Sequence, residues 1–235
     1  MKTQGSTYGT RRKTLEAMYA AMAGHFGPSG WWPARTPFEV ALGAILTQNT
    51  AWTNVDKALA ALDGATGLIP DRVAALPVPE LEARIRPAGF FRQKSRKILA
   101  FLEVLEAHGG LGHGEADCGL GCFSAIDTET LRGLLLAVSG IGPETADCIL
   151  LYALDRPSFV VDAYTRRLFN RHALVPEAVP YDELQEFFMD ALEPDVAFFN
   201  EYHALIVRIG KDFCRKTKPR CGLCPLASFL DHAPE

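Results

Sequence analysis

The 235 residues carry 24 Lys and Arg against 28 Asp and Glu, a net charge of −4, and 48% of them are hydrophobic. That balance belongs to a water-soluble globular chain. No run of about 18 apolar residues offers a membrane span. The opening MKTQGSTYGTRRKT is polar and lacks a signal-peptide pattern, so the expected location is the cytoplasm. The length allows one large domain or two modest lobes. Six cysteines in such a chain suggest metal ligands or free thiols rather than disulfides.

A net charge of −4 argues weakly against a polyanionic partner, but local field and not total charge attracts phosphate. Positive residues cluster at Lys211, Arg215, Lys216, Lys218 and Arg220, at Arg92, Lys94, Arg96 and Lys97, and at Arg166, Arg167 and Arg171. Taken singly, each cluster reads as a solvated helix face.

In chain order, Arg11 to about Phe26 places Leu15, Met18, Tyr19 and Met22 on one helical face. Gly27-Pro28-Ser29-Gly30 breaks it, and Trp31-Trp32-Pro33 follows in a loop. Thr36-Pro37-Phe38-Glu39 has the form of a capping box with Pro at the first helical position, so a helix starts at Pro37. It leads into Thr47-Gln48-Asn49-Thr50. Further helices are expected at Asp56–Leu62, from a start within Leu76-Pro77-Val78-Pro79-Glu80 to an end at Pro87-Ala88-Gly89, and from near Gln93 to His108. Gly109 to Ser124 reads as a Gly-rich loop whose Cys118 and Cys122 are free thiols. A capped helix from Asp127 or Thr128 runs up to Val138, and two more occupy Tyr181–Leu192 and Asp195–Asp212.

The segment Leu134 to Arg167 organises the chain. An apolar helix end meets Gly140-Ile141-Gly142, Pro143 opens a second helix expected to reach Leu154, and Phe159-Val160-Val161 delivers Asp162 at the next helix start. Two glycines spaced by one permit positive φ and close backbone approach, and a helix N-terminus presents unpaired N–H groups that suit a phosphate. Taken alone, Asp162 reads as an N-cap or as a catalytic carboxylate.

The pattern Gly-Ile-Gly-x-x-Thr-Ala followed by Val-Val-Asp-x-Tyr-x-x-Arg resembles the helix-hairpin-helix DNA glycosylases of the endonuclease III superfamily. The resemblance implies an all-α, two-lobed fold. One lobe, 30–154, would be a six-helix bundle ending in the hairpin; the other would join 1–29 to 155–235 and carry Asp162 and the cysteine loop, with Asp162 in the cleft. It further implies that Asp162 is catalytic and that Gly140, Gly142 and Thr145 grip the DNA backbone, with a monovalent cation bridging hairpin carbonyls. FEVALGAILTQNTAWTNV resembles a second signature of the family, in which the residue matching Gln48 fills the gap left by a flipped base. WWP followed by FExxLGAxLTQNT most resembles the bacterial 3-methyladenine glycosylases of the endonuclease III type. For that subgroup Trp32 and Trp52 would sandwich an alkylated base, with Trp31 a more structural third indole, because electron-rich rings attract a cationic purine.

Two departures qualify the resemblance. Bifunctional members carry a nucleophilic Lys two residues after the second hairpin Gly, where this chain has Glu144. A carboxylate cannot form the Schiff base that an amine forms, so the expectation is a monofunctional glycosylase lacking lyase activity, with Glu144 assisting catalysis or facing solvent. Cys214-x6-Cys221-x2-Cys224 follows the family's cluster loop, C-x6-C-x2-C-x5-C, but Leu230 stands where the fourth Cys belongs. A [4Fe–4S] cluster with a non-Cys or missing fourth ligand (Asp231 and His232 are within reach), zinc bound by three Cys and His232, or a vestigial loop all stay open. The expected partner is damaged double-stranded DNA, bound by a monomer. Alternatives are an enzyme for oxidised or deaminated pyrimidines, a non-catalytic DNA-binding hairpin module, and a redox sensor built on the cysteines.

Overall fold

The computed structural model describes residues 4–112 and 119–230, with the side chains of residues 4–8 outside the description. Cys118, Asp231 and His232 lie outside the described residues. Among those described, the chain is helical throughout, with eleven α-helices and no strand. They are α1 (Gln4–Phe26), α2 (Pro37–Leu46), α3 (Trp52–Thr66), α4 (Pro70–Ala74), α5 (Val78–Ile85), α6 (Phe91–Ala107), α7 (Thr128–Ala137), α8 (Pro143–Cys148), α9 (Ala163–Arg171), α10 (Tyr181–Met189) and α11 (Val196–Asp212). No helix among the described residues is long and apolar enough to cross a membrane. The chain divides into two compact units, Trp32–Arg156 and a second formed by Met1–Trp31 with Pro157–Glu235.

The Trp32–Arg156 unit is built around α2, which is apolar on every side. Phe38 and each residue from Val40 to Leu46 are buried, as a helix at the centre of a bundle requires. Its start follows the sequence: Thr36 Oγ1 accepts from the Glu39 N–H at 3.1 Å, with Pro37 at the first helical position. The reciprocal arm differs from a full capping box, because Glu39 Oε2 accepts from the Arg35 N–H at 2.9 Å, one residue earlier than expected. The helix after the hairpin also differs. α8 ends at Cys148, and Ile149–Ala153 widens into a π-type turn before Leu154. Such bulges are frequent at functional sites.

The second unit packs α1, α9, α10 and α11 around an aromatic cluster. Phe159 stacks on Phe188 at 4.1 Å, Tyr202 meets Phe159 edge-on at 5.6 Å, and the buried Tyr202 hydroxyl donates to Leu15 O at 2.8 Å. α9 and α11 approach closely because Gly210 has no side chain; a Cβ there would lie 2.2 Å from the Tyr164 ring. Sequence periodicity places α11 well, whereas α1 begins at Gln4 rather than at the expected Arg11, and α10 stops at Met189 rather than Leu192.

Candidate active site and nucleic-acid interface

The hairpin in the Trp32–Arg156 unit joins α7 to α8. Gly140 has φ +87°, a backbone region that L side chains rarely adopt. It also lies under the Lys97 stem, which an added Cβ would meet at 2.6 Å. Gly142, the N-cap of α8, has φ −95° and open space where a Cβ would stand. The two glycines therefore serve different ends: the turn needs the first, whereas the second keeps the surface clear. Arg132 fastens the two helices, donating from Nε and Nη2 to the fully buried Asp147 at 2.9 and 3.1 Å. Paired in this bidentate way, a buried carboxylate is satisfied and rigid.

Gln48 is tied to this hairpin. Its Nε2 donates to Thr145 Oγ1 at 2.8 Å and to the Gly140 carbonyl at 3.3 Å, while Lys97 Nζ donates to its Oε1. The loop that carries Gln48 turns at Asn49, whose φ is +53°. Below the loop lies Lys94, only 2% exposed. Its ammonium donates to Leu46 O, Ala88 O and Thr50 Oγ1 at 2.8, 2.8 and 2.6 Å, so all three protons have acceptors. Burial, with a smaller contribution from the charge of Lys97, lowers its pKa to about 8. Sequence grouped Lys94 with surface charges; only the fold shows it as an internal clamp joining the Gln48 loop to the turn before α6. Phe90, at the start of α6, was missed as well. It is 62% exposed and has φ +46°, an uncommon combination for an aromatic residue.

The tryptophans divide between the units. Trp31 belongs to the one that includes α11, where Lys211 Nζ lies 5.9 Å from its ring centroid. Trp32 and Trp52 meet edge to face, centroids 4.8 Å apart and planes at 87°. This arrangement leaves no slot between them for a base, contrary to the expected sandwich. Instead they line one cavity of about 220 Å³ with Pro33, Arg35, Glu39 and Asp56. Gly43 makes room for Trp32, since a Cβ there would lie 3.2 Å from the indole.

Asp162 is in the second unit and is an N-cap as well as a candidate catalyst. Oδ1 accepts from the Thr165 N–H at 2.7 Å and from its hydroxyl at 2.9 Å, and the Asp162 N–H donates back to Thr165 Oγ1 at 3.3 Å, closing a full capping box on α9. The side chain is 12% exposed, and its Oδ2 lies 3.7 Å from Nε2 of His203, an α11 imidazole that is itself 6% exposed. Burial raises the Asp162 pKa, but His203 and the Thr165 donors outweigh it and hold the carboxyl below its usual value. His203 was not legible as a site residue: it is a lone His four residues after Phe199 on a buried face. Glu144 is exposed in the first turn of α8.

The cysteine loop packs on the end of α9. Arg167 donates from Nε to Cys214 O at 2.7 Å and from Nη2 to Gly210 O at 3.2 Å; Arg171 Nη1 donates to Cys214 Sγ at 2.9 Å. Two of the three arginines in that sequence cluster are thus structural ties. Arg215, Lys216, Lys218 and Arg220 are exposed. Cys214, Cys221 and Cys224 line one small cavity with Arg171 and His172, but among the described residues no three His, Cys, Asp or Glu side chains gather as a metal site. Among the described residues the three cysteines alone do not make a four-ligand set, and the candidate fourth ligands Asp231 and His232 lie outside that description.

The profile of HhH-GPD superfamily base excision DNA repair proteins matches residues 42–194. A Methanocaldococcus jannaschii protein named as a DNA repair glycosylase is 42% identical over 212 residues, covering 90% of this chain and 93% of that protein. Endonuclease III of Sulfolobus acidocaldarius is 29% identical over 199 residues, 84% of this chain and 83% of its own length. Among solved structures, H. pylori 3-methyladenine DNA glycosylase bound to 1,N6-ethenoadenine superposes with a TM-score of 0.69 at 29% identity, covering 86% of this chain and 97% of that one. A non-covalent endonuclease III–DNA complex gives 0.76 at 21% identity, over 94% and 95% of the two chains, a likeness of fold. The chain belongs to the HhH-GPD superfamily of base excision DNA repair proteins, the endonuclease III-like DNA glycosylases.

Proposed function

We propose that this protein, acting as a monomer on damaged double-stranded DNA, hydrolyses the N-glycosidic bond of an alkylated purine and leaves the strand intact. The observation that carries the reading is Asp162: one oxygen is fixed by its own helix cap, while the carboxyl is held ionised although mostly buried. In the proposed reaction the C1′–N bond breaks and its electron pair leaves with the base. The positive charge of an alkylated purine is neutralised as it leaves. Asp162 stabilises the cationic sugar and takes a proton from the water that bonds to C1′. Glu144 in place of an amine supports hydrolysis without a Schiff base.

DNA binding is assigned to the hairpin around Gly140, Gly142 and Thr145. Gln48, and with it the exposed Phe90, would enter the stack where a base has been extruded. The cavity beside Trp32 and Trp52 is smaller than a drug-sized ligand site of about 300 Å³ or more. Its size suits a single heterocycle, held against an indole face rather than between two. The relative solved with 1,N6-ethenoadenine favours a modified purine over an oxidised pyrimidine.

Asp162→Asn tests the reading with little cost to folding, because Asn caps helices about as well as Asp. The variant should bind abasic-site DNA as tightly as the parent while base release falls by about 100-fold or more. Release at an unchanged rate would remove Asp162 from the chemistry.

A further inference from the structure

Asp162 has one carboxylate oxygen left for chemistry. Oδ1 is committed to the Thr165 N–H and hydroxyl at 2.7 and 2.9 Å. Oδ2 is the oxygen that can face a reacting sugar, and the group beside it is His203 Nε2 at 3.7 Å. The two come together because α9 and α11 pack closely across Gly210. A carboxyl this buried would ordinarily retain its proton. With hydrogen on Nε2, the imidazole presents the positive end of an N–H dipole to Oδ2, and when doubly protonated it presents a full charge. In either form it favours the anion.

We propose that His203 is a positioning residue, which keeps Oδ2 of Asp162 ionised and aimed while Thr165 locks Oδ1. The inference rests on the reading of Asp162 as the catalytic carboxylate. The groups facing Asp162 are His203 from α11 and the Thr165 N–H and hydroxyl from α9. The depressed pKa of Asp162 is in line with that set of neighbours. A His203 that only filled space would affect stability and leave the ionisation of Asp162 untouched.

The test pairs two measurements on the full chain: the pH dependence of kcat and KM for base release, and a carbon NMR titration of the Asp162 carboxyl without DNA, assigned by its loss in Asp162→Asn. In His203→Ala, kcat should fall about tenfold with KM unchanged. The acid limb and the carboxyl titration should both move up by about one pH unit. His203→Gln, which restores an N–H donor at similar reach, should recover most of kcat. A carboxyl titration that does not move in His203→Ala overturns the pairing whatever the activity. A lower kcat with an unmoved acid limb overturns the positioning role. A titration that moves in a protein whose parent releases no base overturns instead the catalytic reading of Asp162, and with it the role of His203.

Discussion

At the residue scale, several side chains are committed twice. Asp162 caps α9 and, in the proposed reaction, offers its other oxygen to chemistry, and Gln48 is held by Lys97 on one end and by Thr145 on the other. In the proposed reaction Gln48 would leave those bonds to enter DNA. Lys94 sets the position of that loop, and its contribution can be measured. Lys94→Met keeps most of the apolar stem but leaves Leu46 O, buried under the loop, without its donor, while Ala88 O keeps the hydrogen bond donated by the Thr50 hydroxyl at 2.5 Å. Orphaning that acceptor should cost about 1–3 kcal/mol in urea unfolding; a loss below about 0.5 kcal/mol would contradict the clamp. Nothing in Arg-Gln-Lys-Ser-Arg-Lys separates Lys94 from its neighbours except that Lys94 and Ile98 share a helix face. The buried role therefore emerges only when α2 and the turn before α6 converge on one ammonium.

At the scale of elements, the hairpin makes a sharper distinction than its Gly-x-Gly spelling. Gly140→Ala forces a side chain into a left-handed backbone and into the Lys97 stem. It should lower both stability, by about 1 kcal/mol or more, and DNA affinity. Gly142→Ala meets open space at an ordinary φ, so its melting should match the parent while DNA binding weakens, if the backbone comes close to phosphate there. Equal melting losses in the two variants would contradict this division of labour. Helix starts were legible where a cap and a proline coincide, as at Thr36-Pro37, because the signal is local. The turn at Ile149–Ala153 was not, since its apolar residues satisfy an α-helical period just as well and only tertiary packing widens the helix. Asp162 was legible as both of its alternatives; the capping box is the one observed, and the catalytic role is the one proposed.

At the scale of the molecule, the all-helical class and the family were readable because three separate motifs occur in order along most of the chain. What sequence could not supply was the company each residue keeps. His203 has no motif of its own, and the basic groups counted as surface charge separate into structural arginines at Arg167 and Arg171 and an exposed strip from Arg215 to Arg220. The edge-to-face indoles are likewise a product of packing: Gly43 admits Trp32 at an angle that no spacing rule contains. The account as a whole stands on hydrolytic release of an alkylated purine. The most direct measurement incubates the protein with duplexes bearing 3-methyladenine, thymine glycol or uracil and resolves the strands with and without alkali. Release of methyladenine, with strand breaks appearing only after alkali, is the predicted result. Breaks without alkali would contradict the monofunctional reading, and no release from any of the three duplexes would contradict catalysis by Asp162 altogether.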